Sequence, residues 1–175
     1  MRKWLSLFLA LVLLLAPSLV SAGEEYYLTS FDYPDLDGNA LDPALLEQAQ
    51  LVLLNVWEPW CDWCLAEIPD LNELYELNRE NGLLVVGISG LGYQPKYNTK
   101  ETAASLNITY PLAAATISSF PFEVNGFPMT FVYQRQENGG LLLLGCIEGY
   151  LPRDRWNQFL KSYLPGAVTE APSGT

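Results

Sequence analysis

The chain has 175 residues and carries 20 acidic against nine basic side chains, for a net charge of −11. That balance disfavours nucleic acid and anionic membrane surfaces as partners, and the length suits one domain with a single core. Three cysteines and no histidine are present, so the commonest metal ligand and the usual general base are both missing.

At the start, Arg2 and Lys3 precede an apolar run from Leu5 to Ala16, a breaking Pro17 and Val20-Ser21-Ala22. This is the three-part pattern of a secretory signal peptide, with cleavage after Ala22. The rival reading, a retained anchor, needs about 20 apolar residues, more than this run supplies. No cysteine follows the run to take up a lipid. Loss of residues 1–22 removes two cations and takes the charge from −11 to −13. The remaining chain is expected in a periplasmic or other extracytoplasmic space, free of the membrane and monomeric, where a close cysteine pair oxidises to a disulfide.

From Glu24 to Leu41 the sequence alternates weakly, and Asp37-Gly38 is a turn signal, which together predict a β-hairpin. Asp42-Pro43 caps a short helix through Gln48. "LVLLNVW", Leu51 to Trp57, is a continuous apolar run suited to a strand buried on both faces. Past "WEPWCDWC", the residues Cys61, Cys64, Leu65, Ile68, Leu71, Leu74 and Tyr75 recur at steps of three and four. They predict an amphipathic helix that stops at Asn81-Gly82. "LLVVGIS", Leu83 to Ser89, is a second buried strand, so strand, helix and strand form a parallel βαβ unit.

Asn98, with Glu101 three residues on, reads as the cap of a helix to about Asn107, and "ITYPLA" as a short strand. "MTFVYQ" and "LLLLGCIE" flank "RQENGG" as an antiparallel hairpin. Pro152 opens a last helix with Trp156, Phe159, Leu160, Tyr163 and Leu164 on one face, ending at Pro165-Gly166. No internal repeat and no second domain are visible. The expected organisation is a signal peptide over 1–22, one domain over 23–164 and a disordered tail over 165–175 with little to bury.

The chemistry lies in the pair Cys61 and Cys64. Cys61 falls where the helix begins and Cys64 one turn later, so both sulfurs lie on one side of the first turn. Unpaired backbone N–H groups and the positive dipole end favour thiolate on Cys61. Cys61 is then the nucleophile toward a substrate disulfide, and Cys64 resolves the mixed disulfide that forms. Two other readings compete. As a staple the pair is weak, because closing a loop of about four residues contributes roughly 2 kcal/mol, against more than about 4 kcal/mol for a bridge across most of a domain. As a metal site it is weaker, since zinc takes four nitrogen or sulfur ligands and the chain offers one distant further cysteine. No metal and no cofactor are expected.

Trp57-x-x-Trp60-Cys61-x-x-Cys64, followed by Glu67, Pro69 and a downstream "GFPMTFV", resembles the thioredoxin superfamily, in particular its exported TlpA-like thiol-disulfide oxidoreductases, which include cytochrome c maturation reductases. The resemblance covers nearly all of the chain after residue 22. It implies an α/β thioredoxin fold, a mixed central sheet flanked by helices, with an N-terminal β-hairpin and a helix-strand insertion in the stretch between Cys64 and Pro128. It also implies a cis peptide bond before Pro128 and a substrate-pairing backbone at Phe127. Pro69 matches the proline that kinks the active-site helix, where it removes the bond from its own nitrogen to the Leu65 carbonyl. Glu67 matches a buried acid that assists proton transfer at the cysteines; the plainer alternative is a solvated charge favoured by the helix dipole.

The chain departs from that family in having Trp63 where a proline usually precedes the second cysteine, and Asp62 where a neutral or basic residue is common. Trp60 and Trp63 are candidates for an aromatic collar that docks substrate, Trp63 being the better exposed, whereas Trp57 reads as core. Glu58, Asp62, Glu67 and Asp70 all disfavour thiolate, and a less stable thiolate gives a more reducing couple. The expectation is therefore an enzyme that reduces protein disulfides and is fed by an upstream membrane electron donor. The alternatives are a disulfide oxidase or isomerase, and a non-catalytic thioredoxin-fold binding module with a structural disulfide. Cys146, inside "LLLLGCIE", is expected to be a small core residue, reduced and unreactive.

Overall fold

Two wholly buried strands set the frame. The computed structural model describes residues 26–116 and 118–170, so the proposed signal peptide lies outside the described residues. Strands β2 (Leu51–Val56) and β3 (Leu83–Ser89) are buried at every position and pair in parallel from Leu51 opposite Leu83 to Val56 opposite Ile88. Apolar side chains on both faces require cover on both faces, which places these strands at the centre of the sheet. The full order is β1-β6-β5-β2-β3-β4, with β1 at Tyr27–Leu28, β4 at Leu112–Ala114, β5 at Met129–Arg135 and β6 at Leu141–Glu148. β4 runs parallel to β3, whereas β5 is antiparallel to both β2 and β6. This mixed sheet, with helices α1 (Ala44–Gln48), α2 (Asp62–Asn78), α3 (Thr99–Ser105) and α4 (Arg153–Tyr163), is a thioredoxin-like fold. α3 and β4 lie between Cys64 and Pro128, the stretch where a helix-strand insertion is expected.

Helix α2 follows β2 directly and delivers the cysteines to the carboxyl end of the central strand. Cys61 is its N-cap in extended backbone, and the helix passes through Pro69 before ending in a short 3-10 turn, Arg79–Asn81. Gly82 then takes φ +89°, and a Cβ there would stand 2.6 Å from Gln50 Cγ, so both conformation and space demand glycine. α3 starts on the expected cap, Asn98 Oδ1 accepting from the N–H groups of Lys100 (3.0 Å) and Glu101 (3.3 Å). It ends at Ser105, two residues short of expectation, and Asn107 adopts φ +51°. α4 buries Trp156 and Leu160 in the core, and its C-cap Leu164 is buried with them.

Four details differ from the sequence reading. The N-terminal hairpin is reduced to one antiparallel bridge, Pro34 opposite Ala40, around a turn that the Asp35 carboxylate ties to the N–H groups of Asp37 and Asn39. β1 pairs with β6 instead of with the segment that follows it. Cys146 is exposed and free, not a core residue. The run Leu141–Leu144 resembles a central strand, but β1 covers only Leu141 and Leu142, and a bulge opposite Val132 and Tyr133 interrupts the register. Beyond Leu143, whose N–H still donates to the Tyr26 carbonyl (2.8 Å), β6 is among the described residues an outer edge, so an apolar sequence there does not imply burial. Lastly, the tail expected to be disordered is tethered as far as Thr169. Asn78 exchanges hydrogen bonds with the backbone N–H and C=O of Val168 (2.7 Å each), and Arg153 Nη2 donates to the Thr169 carbonyl (3.2 Å).

Candidate active site

Cys61 and Cys64 form a disulfide with Cα atoms 5.2 Å apart. Cys61 retains 7 % of its surface and Cys64 1 %, so the N-cap cysteine is the more accessible residue of the two. The Cys64 N–H donates to Cys61 Sγ at 3.1 Å. An N-terminal amide aimed at that sulfur stabilises negative charge on it once the bond is reduced. Trp57, Ile68 and Ala103 bury the pair, and Trp60, Leu65 and Phe127 pack around this cluster.

The Phe127–Pro128 peptide bond is cis. Pro128 is buried, its carbonyl accepts from Gly149 N–H at 2.8 Å, and a groove beside it is lined by Asn125, Phe127, Met129 and Glu148. The Phe127 ring meets Trp60 edge-on, with centroids 5.5 Å apart. Trp60, Phe127 and the cysteines are thus one assembly. Trp63 is not part of it: it is 65 % exposed and lies against Tyr150, with centroids 5.7 Å apart.

Glu67 is 1 % exposed, on the turn of α2 after Cys64. Its Oε1 accepts from the Leu151 N–H (2.8 Å) and Trp156 Nε1 (3.2 Å), and its Oε2 from Asn55 Nδ2 (3.2 Å). Burial pushes its carboxyl up from the usual 4.5 to about 7 despite those three bonds, and the Asp70 charge adds to the rise. A solvated helix charge is therefore not its state. Sequence reading missed the residues that surround it: Asn55, Thr130 (which accepts from Asn55 Nδ2 at 3.0 Å) and Trp156. Asn55 was detectable, because it is the one polar residue of a strand buried throughout, and buried polar groups need partners.

The other acids divide. Asp70 and Glu73 both face Arg153 Nη1, at 3.8 and 2.9 Å. Glu58 is buried and bonded to the loop after β3. Asp62 is exposed beside Cys61. Among the described residues no three histidine, cysteine, aspartate or glutamate side chains cluster as metal ligands would.

The AhpC/TSA family pattern matches residues 27–119, which is more than half of the chain. The chain belongs to the AhpC/TSA family. Among curated relatives, a thiol-disulfide oxidoreductase ResA of Geobacillus thermodenitrificans is 28 % identical over 116 residues, 65 % of this chain and 63 % of that protein. The matched region thus spans less than two thirds of that relative's length. A thiol:disulfide interchange protein DsbE of Yersinia pestis is 38 % identical over 64 residues, 37 % of this chain and 30 % of its own. Solved structures of this AhpC/TSA chain's fold include a thioredoxin family protein of Chlorobium tepidum, with TM-score 0.64 and 24 % identity over 80 % of this chain and 97 % of that one. A secreted disulfide oxidoreductase of Mycobacterium tuberculosis superposes with TM-score 0.59 and 18 % identity, over 77 % and 96 % of the two chains. At those identities the likeness establishes the thioredoxin-like fold.

Proposed function

We propose that the chain is an exported thiol-disulfide oxidoreductase that reduces protein disulfides. The observation that carries this reading is Cys61 as N-cap of α2, its sulfur receiving the Cys64 N–H and its partner cysteine buried behind it. The relatives named thiol-disulfide oxidoreductase support it. In the dithiol form, Cys61 thiolate attacks one sulfur of the substrate disulfide, forming a mixed disulfide and releasing the other sulfur as thiolate. Cys64 thiolate then attacks Cys61 Sγ and the second substrate sulfur leaves. Two electrons pass to the substrate, and the enzyme is left with the Cys61–Cys64 disulfide. Glu67, whose carboxyl titrates near neutral pH, exchanges the proton that Cys64 must lose and regain. Trp60, Phe127 and Pro128 shape the substrate groove, and Trp63 is an outlying docking surface.

The enzyme acts outside the cytoplasm, consistent with the signal-peptide pattern of residues 1–22, and is recharged by a dithiol donor in the membrane. No helix among the described residues is long and apolar enough to cross a bilayer. Insulin reduction with dithiothreitol as donor tests the activity. Cys64→Ser should accumulate a mixed disulfide and Cys61→Ser should not. Turnover by Cys61→Ser would overturn the assignment of roles, and no turnover by the wild type would leave a binding module with a structural disulfide. The reduction potential is expected nearer about −270 mV than about −120 mV, and a value above about −180 mV would mark an oxidase or isomerase.

A further inference from the structure

We propose that Glu58 is a positioning residue for the substrate groove, its carboxylate holding the Gly90–Gly92 turn as a wall against Trp60 and Phe127. The proposal rests on the disulfide-exchange reading of the cysteine pair. Glu58 is 1 % exposed, and among the described residues no cation pairs with it. Burying a carboxylate without a cation is costly, and it persists only where hydrogen bonds replace water. Here Oε1 accepts from the backbone N–H groups of Gly90 (2.9 Å) and Gly92 (2.8 Å). Oε2 faces the Ser89 hydroxyl at 3.4 Å, which in turn lies 3.2 Å from Thr99 Oγ1 at the start of α3. An apolar side chain would fill the same space at less cost; what the acceptor oxygen adds is a fixed position for the turn after β3.

That turn leads to the groove. The Gly92 carbonyl accepts from Trp60 Nε1 at 2.8 Å. A Cβ on Gly92 would stand 2.8 Å from Trp60 Cζ2 and 3.1 Å from Phe127 Cε2, so the turn lies directly against both rings. Phe127 leads into the cis peptide bond at Pro128. At its other end the Glu58 backbone carbonyl accepts from the Cys61 N–H at 3.0 Å. None of the side chain's bonds reaches a sulfur. One residue thus registers the loop, both aromatic rings and the start of the active-site helix to each other. A protein substrate, which must seat its backbone in the groove, depends on that register more than a small disulfide does.

The test compares Glu58→Ala, Glu58→Gln and Gly92→Ala in the full chain, with insulin and oxidised glutathione as substrates. Glu58→Ala orphans two half-buried N–H groups and should raise KM for insulin about tenfold, with a much smaller change in kcat and a smaller loss on glutathione. Glu58→Gln keeps an acceptor for both N–H groups and should restore KM to within about threefold of wild type. Gly92→Ala should reproduce the KM defect with Glu58 intact. Wild-type KM in Glu58→Ala, or Glu58→Gln as impaired as Glu58→Ala, overturns the proposal. Should Glu58→Ala fail to fold, Gly92→Ala decides, and wild-type KM there overturns it. If the wild type reduces neither substrate, the functional reading fails. The positioning claim is then judged by hydrogen exchange at the Gly90 and Gly92 amides: protection in Glu58→Gln as low as that of a solvent-exposed loop overturns it, and protection retained at wild-type level supports it.

Discussion

Asp62 is the exposed carboxylate next to Cys61, while Glu58, Glu67 and Asp70 each find partners in the folded chain. Hydrogen bonds leave the Glu58 charge in place, whereas Glu67 holds its proton up to about pH 7 and Asp70 faces Arg153. The opposition to a Cys61 thiolate, spread over four acids in the sequence, therefore narrows to Glu58 and to the charge on Asp62. Removing that charge stabilises the thiolate and hence the reduced form. Asp62→Asn should raise the reduction potential by roughly 10 to 30 mV, measured by equilibration with glutathione. An unchanged potential would remove the electrostatic explanation for a reducing couple. Cys146 calls for the opposite of what its sequence neighbours suggest. Exposed and free, it should be alkylated by iodoacetamide in the folded, oxidised protein, whereas Cys61 and Cys64 stay blocked until a reductant is added. Peptide mass spectrometry would read both outcomes, and a Cys146 alkylated only after denaturation would contradict the exposed edge of β6.

At the scale of elements, the end of α2 is where local signals and packing meet. Leu71, Leu74 and Tyr75 follow the helical period that the sequence displays, but Asn78, next on the same buried face, is polar. Its amide donates to the Leu74 carbonyl (2.9 Å) and exchanges two bonds with Val168, ninety residues away, so it fastens the segment after α4 to α2. Asn78→Ala would orphan the Val168 N–H and C=O and should cost roughly 2 kcal/mol in urea unfolding. It should also speed proteolysis between residues 165 and 170, and loss of stability without faster cleavage there would locate the defect elsewhere. Elements whose signal is short-range were legible: β2, β3, the α2 period, the Asn98 cap and the β5–β6 hairpin. The pairing of β1 was not, because a two-residue strand carries no pattern of its own and takes its partner from whichever edge is free.

For the whole molecule, the buried acid couples folding to pH. Glu67 titrates near 7 when folded against the usual 4.5, so the folded state keeps a proton that the unfolded chain has lost between those values. Its contribution to stability is full below 4.5 and falls as pH rises through about 7. Glu67→Gln cannot ionise, and Asn55 can turn its Oδ1, which has no partner among the described residues, toward the new amide. The drop in unfolding free energy between about pH 5 and about pH 8 should shrink by roughly 2 kcal/mol in this variant. An equal drop in wild type and variant would assign the pH dependence to other groups.

The sequence by itself determined the features that neighbouring residues decide. A central strand runs into a cysteine pair, a helix begins at the first cysteine, a βαβ unit follows, and a hairpin and a last helix close the chain. Each rests on periodicity, caps or turn residues within a few positions. Only the tertiary structure decided which side chains share an environment. Asn55, Leu151 and Trp156 converge on Glu67 from a strand, a loop and a helix far apart in the chain. Glu58 reaches the amides of Gly90 and Gly92, and Cys146 lies exposed despite four leucines before it. Burial and hydrogen bonding depend on what packs against a residue from elsewhere in the fold, and that neighbour is chosen by the arrangement of the whole sheet.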